Sequence, residues 1–204
     1  MSLSKESPLN TVSTVSIKLR LSRGSAGMLP PRTPLPADQK TSKVDCKILY
    51  DALTKLGYNY SDSSMGIKEL ERTTNKSSGV IHIKCPENYK TELILHPAPL
   101  DVAFHGIFGA IGSPREGQLW TLMISTVIRL MRLNVSEGEE TACLGVDVNF
   151  DASVTVDPLT NEVYGDIDIF DMNGNAILQI EALHVTTTTQ VTANDDAQKI
   201  SKQV

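Results

Sequence analysis

An aspartate and a histidine stand four residues apart in the apolar stretch LHPAPLDVAFHGIFGAIG, residues 95–112. On a helix, Asp101 and His105 would lie one turn apart and could meet. A carboxyl held among apolar neighbours loses solvent, which disfavours its charged form and suits it to donate a proton near neutral pH. Two plainer readings compete. Asp101 could serve the helix dipole from the first turn, and His105 could be a hydrogen-bonded core residue. His96, Asp101 and His105 are also metal-ligating types, but their spacing fits no standard metal motif, so no metal is expected.

The helix that must carry the pair is expected over 97–112. Leu100, Phe104, Ile107 and Ile111 fall on one apolar stripe, and Asp101, His105, Phe108 and Gly112 on the adjoining face. Pro97 and Pro99 suit a first turn, where missing N–H groups cost nothing. Gly106, Gly109 and Gly112 follow no phosphate-loop pattern and read as sites of close backbone packing. An earlier helix is expected from Leu49, Leu53 and Leu56, ended by Gly57. Strands are expected at 13–22, at 78–85, within 119–135 as one or two, through the alternating Leu144, Val146 and Val148, and as a hairpin around DMNGNA. His82 and His184 fall in strands without a partner in the sequence and read as structural. The fold class is α+β, an antiparallel sheet curled around a central helix. Residues 1–43 read as a flexible segment with a Pro-rich linker, 44–190 as the compact domain and 191–204 as a disordered tail.

Composition narrows the function. The 204 residues carry a formal charge of −5 and are 40% hydrophobic, enough for a real core and against a nucleic-acid binder. Cys46, Cys85 and Cys143 form no CxxC pair, which fits reduced thiols. No secretory signal and no apolar run of spanning length is present, so a soluble, cytoplasmic protein without membrane contact is expected.

Several stretches resemble the dehydratase domains of polyketide synthases, especially those of fungal highly reducing synthases and synthase–synthetase hybrids. VSIKLRLSRGSAGMLPPR is similar to the last strand of the first half and its linker, and LYDALTKLGYNYSDSSMGI to the opening of the second half. LHPAPLDVAFH is similar to the family motif Leu-His-Pro-Ala-x-Leu-Asp-x-x-x-Gln/His, and LWTLMISTVIRLMRL and GDIDIFDMNGNAILQIEALHV to the closing strands. The resemblance covers about residues 14 to 190 and implies the C-terminal half of a double hot-dog fold.

By position, the resemblance makes Asp101 the acid that protonates a departing β-hydroxyl and His105 the residue that orients it. Tyr60 would line the pocket, and Phe104 and Phe108 are expected beside it as substrate contacts. It implies no cofactor, since the substrate rides on the phosphopantetheine of an acyl carrier domain. In the family the base is a histidine on the first hot dog, well over a hundred residues upstream, and almost nothing here precedes the linker. A base would come from a dimer mate, a partner chain or a repurposed His105. Two departures stand out: Ser64 where a pocket Phe is usual, and Ala182 where the family has Gly. The expected function is loss of water from a 3-hydroxyacyl thioester, by an incomplete half with a synthase and a partner hot dog or a second copy as partners. A non-catalytic acyl-binding or docking remnant is the alternative, and a gene product that continues upstream a third.

Overall fold

The computed structural model describes residues 29–30, 40–60, 64–82, 97–113, 121–134, 147–160 and 162–187. Two helices and seven strands follow in the order β1 (Ser42–Lys43), α1 (Cys46–Lys55), β2 (Ile67–Thr73), β3 (Lys76–His82), α2 (Pro97–Ile111), β4 (Met123–Leu133), β5 (Asp147–Val156), β6 (Val163–Phe170) and β7 (Ala176–Thr187). All strands join one antiparallel sheet in the order β1-β2-β3-β5-β6-β7-β4. The sheet does not close on itself, and β1 and β4 are its two edges. The expected strand at 13–22 and the tail after 187 lie outside the described residues.

Each element has a local cause. Asp45 caps α1, its Oδ1 accepting from the N–H groups of Lys47 and Ile48, and Gly57 beyond its last turn takes a φ of +105°. That turn sends the chain back across the end of the helix, with Tyr58 N–H donating to Leu53 O. β5 alternates cleanly, burying Val148, Phe150, Ala152 and Val154. The β6–β7 connection is a tight turn in which Asp171 Oδ1 accepts from Asn173 and Asn175 N–H and Gly174 takes a φ of +85°. β4 is one strand with a bulge between Ser125 and Val127, not two strands.

α2 lies in the trough of the sheet against β2, β3, β5 and β6. It does not bury a single stripe. Val102, Ala103, His105, Gly106, Ile107, Phe108, Gly109 and Ala110 are all buried, whereas Leu100, Phe104 and Ile111 are only partly covered. A central helix is enclosed by a curled sheet on most sides, so its least apolar face is buried too. The glycines make this depth possible: a Cβ on Gly106 would stand 2.6 Å from the Phe150 ring, and one on Gly109 3.0 Å from Leu70. Ser77 on β3 donates to Gly106 O at 2.7 Å, holding helix to sheet.

Candidate active site at the α2 aspartate

Asp101 is the fifth residue of α2 and lies beyond its first turn, which contains no acid. The dipole reading from sequence therefore fails. The desolvation reading meets an obstacle as well, because the Asp101 side chain is 50% exposed while His105 is fully buried. The two side chains differ in solvent access because His105 points into a cluster of aromatic rings from α1, the turn after it and α2, while Asp101 lies on the exposed side of the helix. His105 Nε2 is 3.6 Å from Asp101 Oδ2, beyond hydrogen-bond length, and Nε2 is buried with no hydrogen-bond partner. The carboxylate oxygen is poised where a small side-chain rotation satisfies that nitrogen.

Two tyrosines, Tyr50 from α1 and Tyr60 after it, contact the histidine ring, and Tyr58 backs Tyr60. Tyr50 Oη lies 3.2 Å from His105 Nδ1 and accepts from Ile67 N–H at 3.1 Å. Tyr60 stacks on Tyr58 at 5.4 Å and tilts over the imidazole at 4.1 Å between ring centres. Phe108, one turn along α2, packs on Tyr58 at 5.1 Å. Tyr58 Oη donates to Met123 O at 2.6 Å and accepts from Met123 N–H at 2.7 Å, which pins the start of β4 to the aromatic cluster. Burial pushes the Tyr50 hydroxyl up to about 12. Burial raises Tyr60 also, with the Asp101 charge adding to it, so both phenols stay protonated.

The structure thus brings Asp101, His105, Tyr60 and Phe108 together, while Phe104 packs against the rim of the core. Tyr50 was not singled out from sequence; its place one residue after Leu49 marks a buried position, but nothing local shows that its hydroxyl reaches a residue 55 positions away. His82 and His184 do find partners. His82 Nδ1 lies 2.6 Å from Asp147 Oδ1, which Lys68 also engages at 2.8 Å; the Lys68 and His82 hydrogen bonds hold the Asp147 carboxyl below the usual range. His184 stacks on Tyr164 and lies 3.8 Å from Glu162. His96 lies outside the described residues.

His105, Gly109 and Pro114 also carry the spacing His-x-x-x-Gly-x-x-x-x-Pro that the resembled family uses for its base. Here His105 and Gly109 are on the enclosed helix, and the histidine is 0% exposed with Nδ1 engaged by Tyr50. Enclosure and the Tyr50 contact weigh against a repurposed His105 as the base.

The family model that matches residues 29–195 is described as "Polyketide synthase dehydratase N-terminal domain". The chain is 43% identical over its full length to the hybrid PKS-NRPS synthetase buaA of Petromyces alliaceus, of which it covers 5%. It is 34% identical over 87% of its length to the highly reducing polyketide synthase aurA of Calcarisporium arbuscula, covering 7% of that protein. The fold is similar to the dehydratase domain of RzxB from Pseudomonas fluorescens (TM-score 0.59, 18% identity, 74% of this chain and 52% of that one). It is similar, too, to the dehydratase domain of PpsC from Mycobacterium tuberculosis, solved in complex with C12:1-CoA (TM-score 0.57, 18% identity, 76% and 55%). The chain therefore spans about half the length of these solved domains and a small fraction of the curated relatives.

Proposed function

Because the chain belongs to the polyketide synthase dehydratase family, we propose that it is the aspartate-bearing half of a dehydratase and removes water from a 3-hydroxyacyl thioester together with a second hot dog. The observation that carries this reading is the Asp101–His105 pair, set over an aromatic wall at the open rim of α2. The matching family model is described as an N-terminal domain. The assignment to the aspartate-bearing half rests instead on LHPAPLDVAFH at residues 95–105.

In the proposed reaction a base takes the α-proton, the C–H electrons form the Cα=Cβ bond, and the Cβ–O bond breaks. Asp101 gives its proton to the departing oxygen, so water leaves and an enoyl thioester remains. Tyr60 and Phe108 line the acyl side, and Phe104 at the rim faces the second half. The substrate arrives on the phosphopantetheine of an acyl carrier domain, and no other cofactor is required. The base belongs to the second hot dog, since His105 is enclosed and engaged.

That second hot dog sits on β4 in this reading. Ile124, Val127, Ile128, Leu130 and Met131 are 39–56% exposed along an edge strand whose bonded neighbour among the described residues is β7. Tyr58, bonded to Met123 and stacked on Tyr60, ties the start of this edge to the aromatic cluster, so a partner seated there would shield the Asp101 side as well and supply the desolvation that the chain by itself lacks. The half-exposed carboxylate favours one alternative, a non-catalytic acyl-binding or synthase-docking role.

The test pairs the chain with a separately produced, histidine-bearing first half and a 3-hydroxyacyl pantetheine thioester, with product read by mass spectrometry. Dehydration is expected from the pair, reduced roughly a hundredfold or more in Asp101→Asn. A folded, associated pair that binds thioester without releasing water would overturn the lyase reading and leave the binding role.

A further inference from the structure

The imidazole of His105 is held between two oxygens of different character. On one side Tyr50 Oη already accepts from the Ile67 N–H at 3.1 Å, and His105 Nδ1 is the acceptor lying within reach of its own proton, at 3.2 Å. Burial keeps that phenol protonated, so it has a proton to give. On the other side, the buried, unpartnered Nε2 faces Asp101 Oδ2 at 3.6 Å. The remaining neighbours are aromatic faces: Tyr60 at 4.1 Å, Tyr50 edge-on at 5.6 Å and Phe108 at 6.3 Å between ring centres. None of these supplies another acceptor to the ring nitrogens.

We propose that Tyr50 is a positioning residue that locks His105 as the neutral Nε2–H tautomer. The relay runs from Ile67 N–H to Tyr50 Oη, from Tyr50 O–H to His105 Nδ1, and from His105 Nε2–H to Asp101 Oδ2. Its consequence is a choice between the two carboxyl oxygens. Oδ2 is committed as an acceptor, so the carboxyl proton resides on Oδ1, free to be delivered. Were the tautomer reversed, Nε2 would accept from the carboxyl and withdraw the proton the acid must donate. This inference rests on the dehydratase reading for its catalytic meaning, but the tautomer itself is a property of the chain alone.

Nitrogen-15 NMR on histidine-labelled chain measures it directly, with His105→Gln identifying the His105 signals by their disappearance. The expected spectrum, taken at mildly alkaline pH, shows a protonated-type Nε2 and an unprotonated, hydrogen-bonded Nδ1. In Tyr50→Phe, which keeps the buried ring, the Nδ1 signal is expected to shift toward the protonated type. A wild-type spectrum with the proton on Nδ1, or one unaffected by Tyr50→Phe in a folded chain, overturns the relay. Should that variant fail to fold, the wild-type assignment still decides. Turnover in the paired assay is expected to fall on the order of tenfold in Tyr50→Phe, less than on loss of the acid itself. A correct tautomer in a pair that never dehydrates would refute the lyase reading while leaving the relay intact.

Discussion

The helix α2 and the strand β4 follow one another in the chain, yet they are built to opposite standards. Most of α2 is enclosed. Eight of the nine residues from Val102 to Ala110 are buried, glycines admit the Phe150 and Leu70 side chains at contact distance, and Ser77 ties the helix backbone to the sheet. Along β4 every residue from Ile124 to Met131 is exposed, although five of the eight are large and apolar. Ordinary soluble edges are blunted by charge or proline, and β4 has only Arg129 and Arg132 for that purpose. The contrast teaches that the chain encloses its central helix while β4 keeps a row of exposed apolar side chains of the kind that marks an interaction surface.

The comparison can be broken at the helix. Gly106→Leu would drive a side chain into Phe150, and a loss of about 3 kcal/mol or more is expected, read as a lowered urea midpoint. A midpoint unchanged from the parent would show that the trough is looser than its contacts imply. At the edge the expectation is reversed. Val127→Lys with Leu130→Lys should leave the urea midpoint of the separate chain within about 0.5 kcal/mol. The same pair should weaken association with a second hot dog by tenfold or more in sedimentation velocity, and equal association would place the partner elsewhere. The smallest expected effect lies next to that edge. Ala182, in the β7 bulge, takes a φ of +52°, where a side chain costs roughly 1 kcal/mol. Ala182→Gly is therefore expected to raise the urea midpoint by an amount near that value, partly offset by the greater freedom of glycine in the unfolded chain. A lowered midpoint would mean that the strain is already relieved by the Ala182 N–H bond to Asp166 Oδ1.

The same contrast explains what the sequence disclosed. α1, α2, the β6–β7 hairpin and the long strand β4 announce themselves because a period or a turn residue marks each one. β2 does not. The bulge between Ile67 and Glu69 sets Ile67 and Leu70 three apart rather than two or four, so IKELERT loses its alternation and hides among charged residues. β1 is two residues long and carries no pattern. At the site, the i and i+4 spacing discloses the Asp101–His105 pair, but spacing says nothing of enclosure. It placed Leu100, Phe104 and Ile111 inward as a stripe, whereas the sheet covers the other face more fully. Tyr50 stayed hidden for a related reason, since its contact with His105, in the middle of α2, joins residues 55 positions apart and exists only after the chain folds.

The departure from glycine at Ala182 was legible as a letter and became meaningful only with its backbone angle. The resemblance implies glycine there, and the left-handed φ of +52° is one that glycine adopts without steric cost.

The sheet order carries a further consequence, in time. β4 emerges before β5, β6 and β7, but its neighbour among the described residues is β7, with Leu133 paired to Leu178 and Met123 to Thr187. A ribosome adding roughly 5–20 residues per second leaves β4 without its template for several seconds, while the trough around α2 can already begin to assemble from β2 and β3. During that interval the exposed apolar residues of β4 wait for their β7 partner. Nascent chains on one message would meet at β4 before they could meet anywhere else, so the spacing of ribosomes becomes a determinant of whether this strand ends in its own sheet or in a neighbour's.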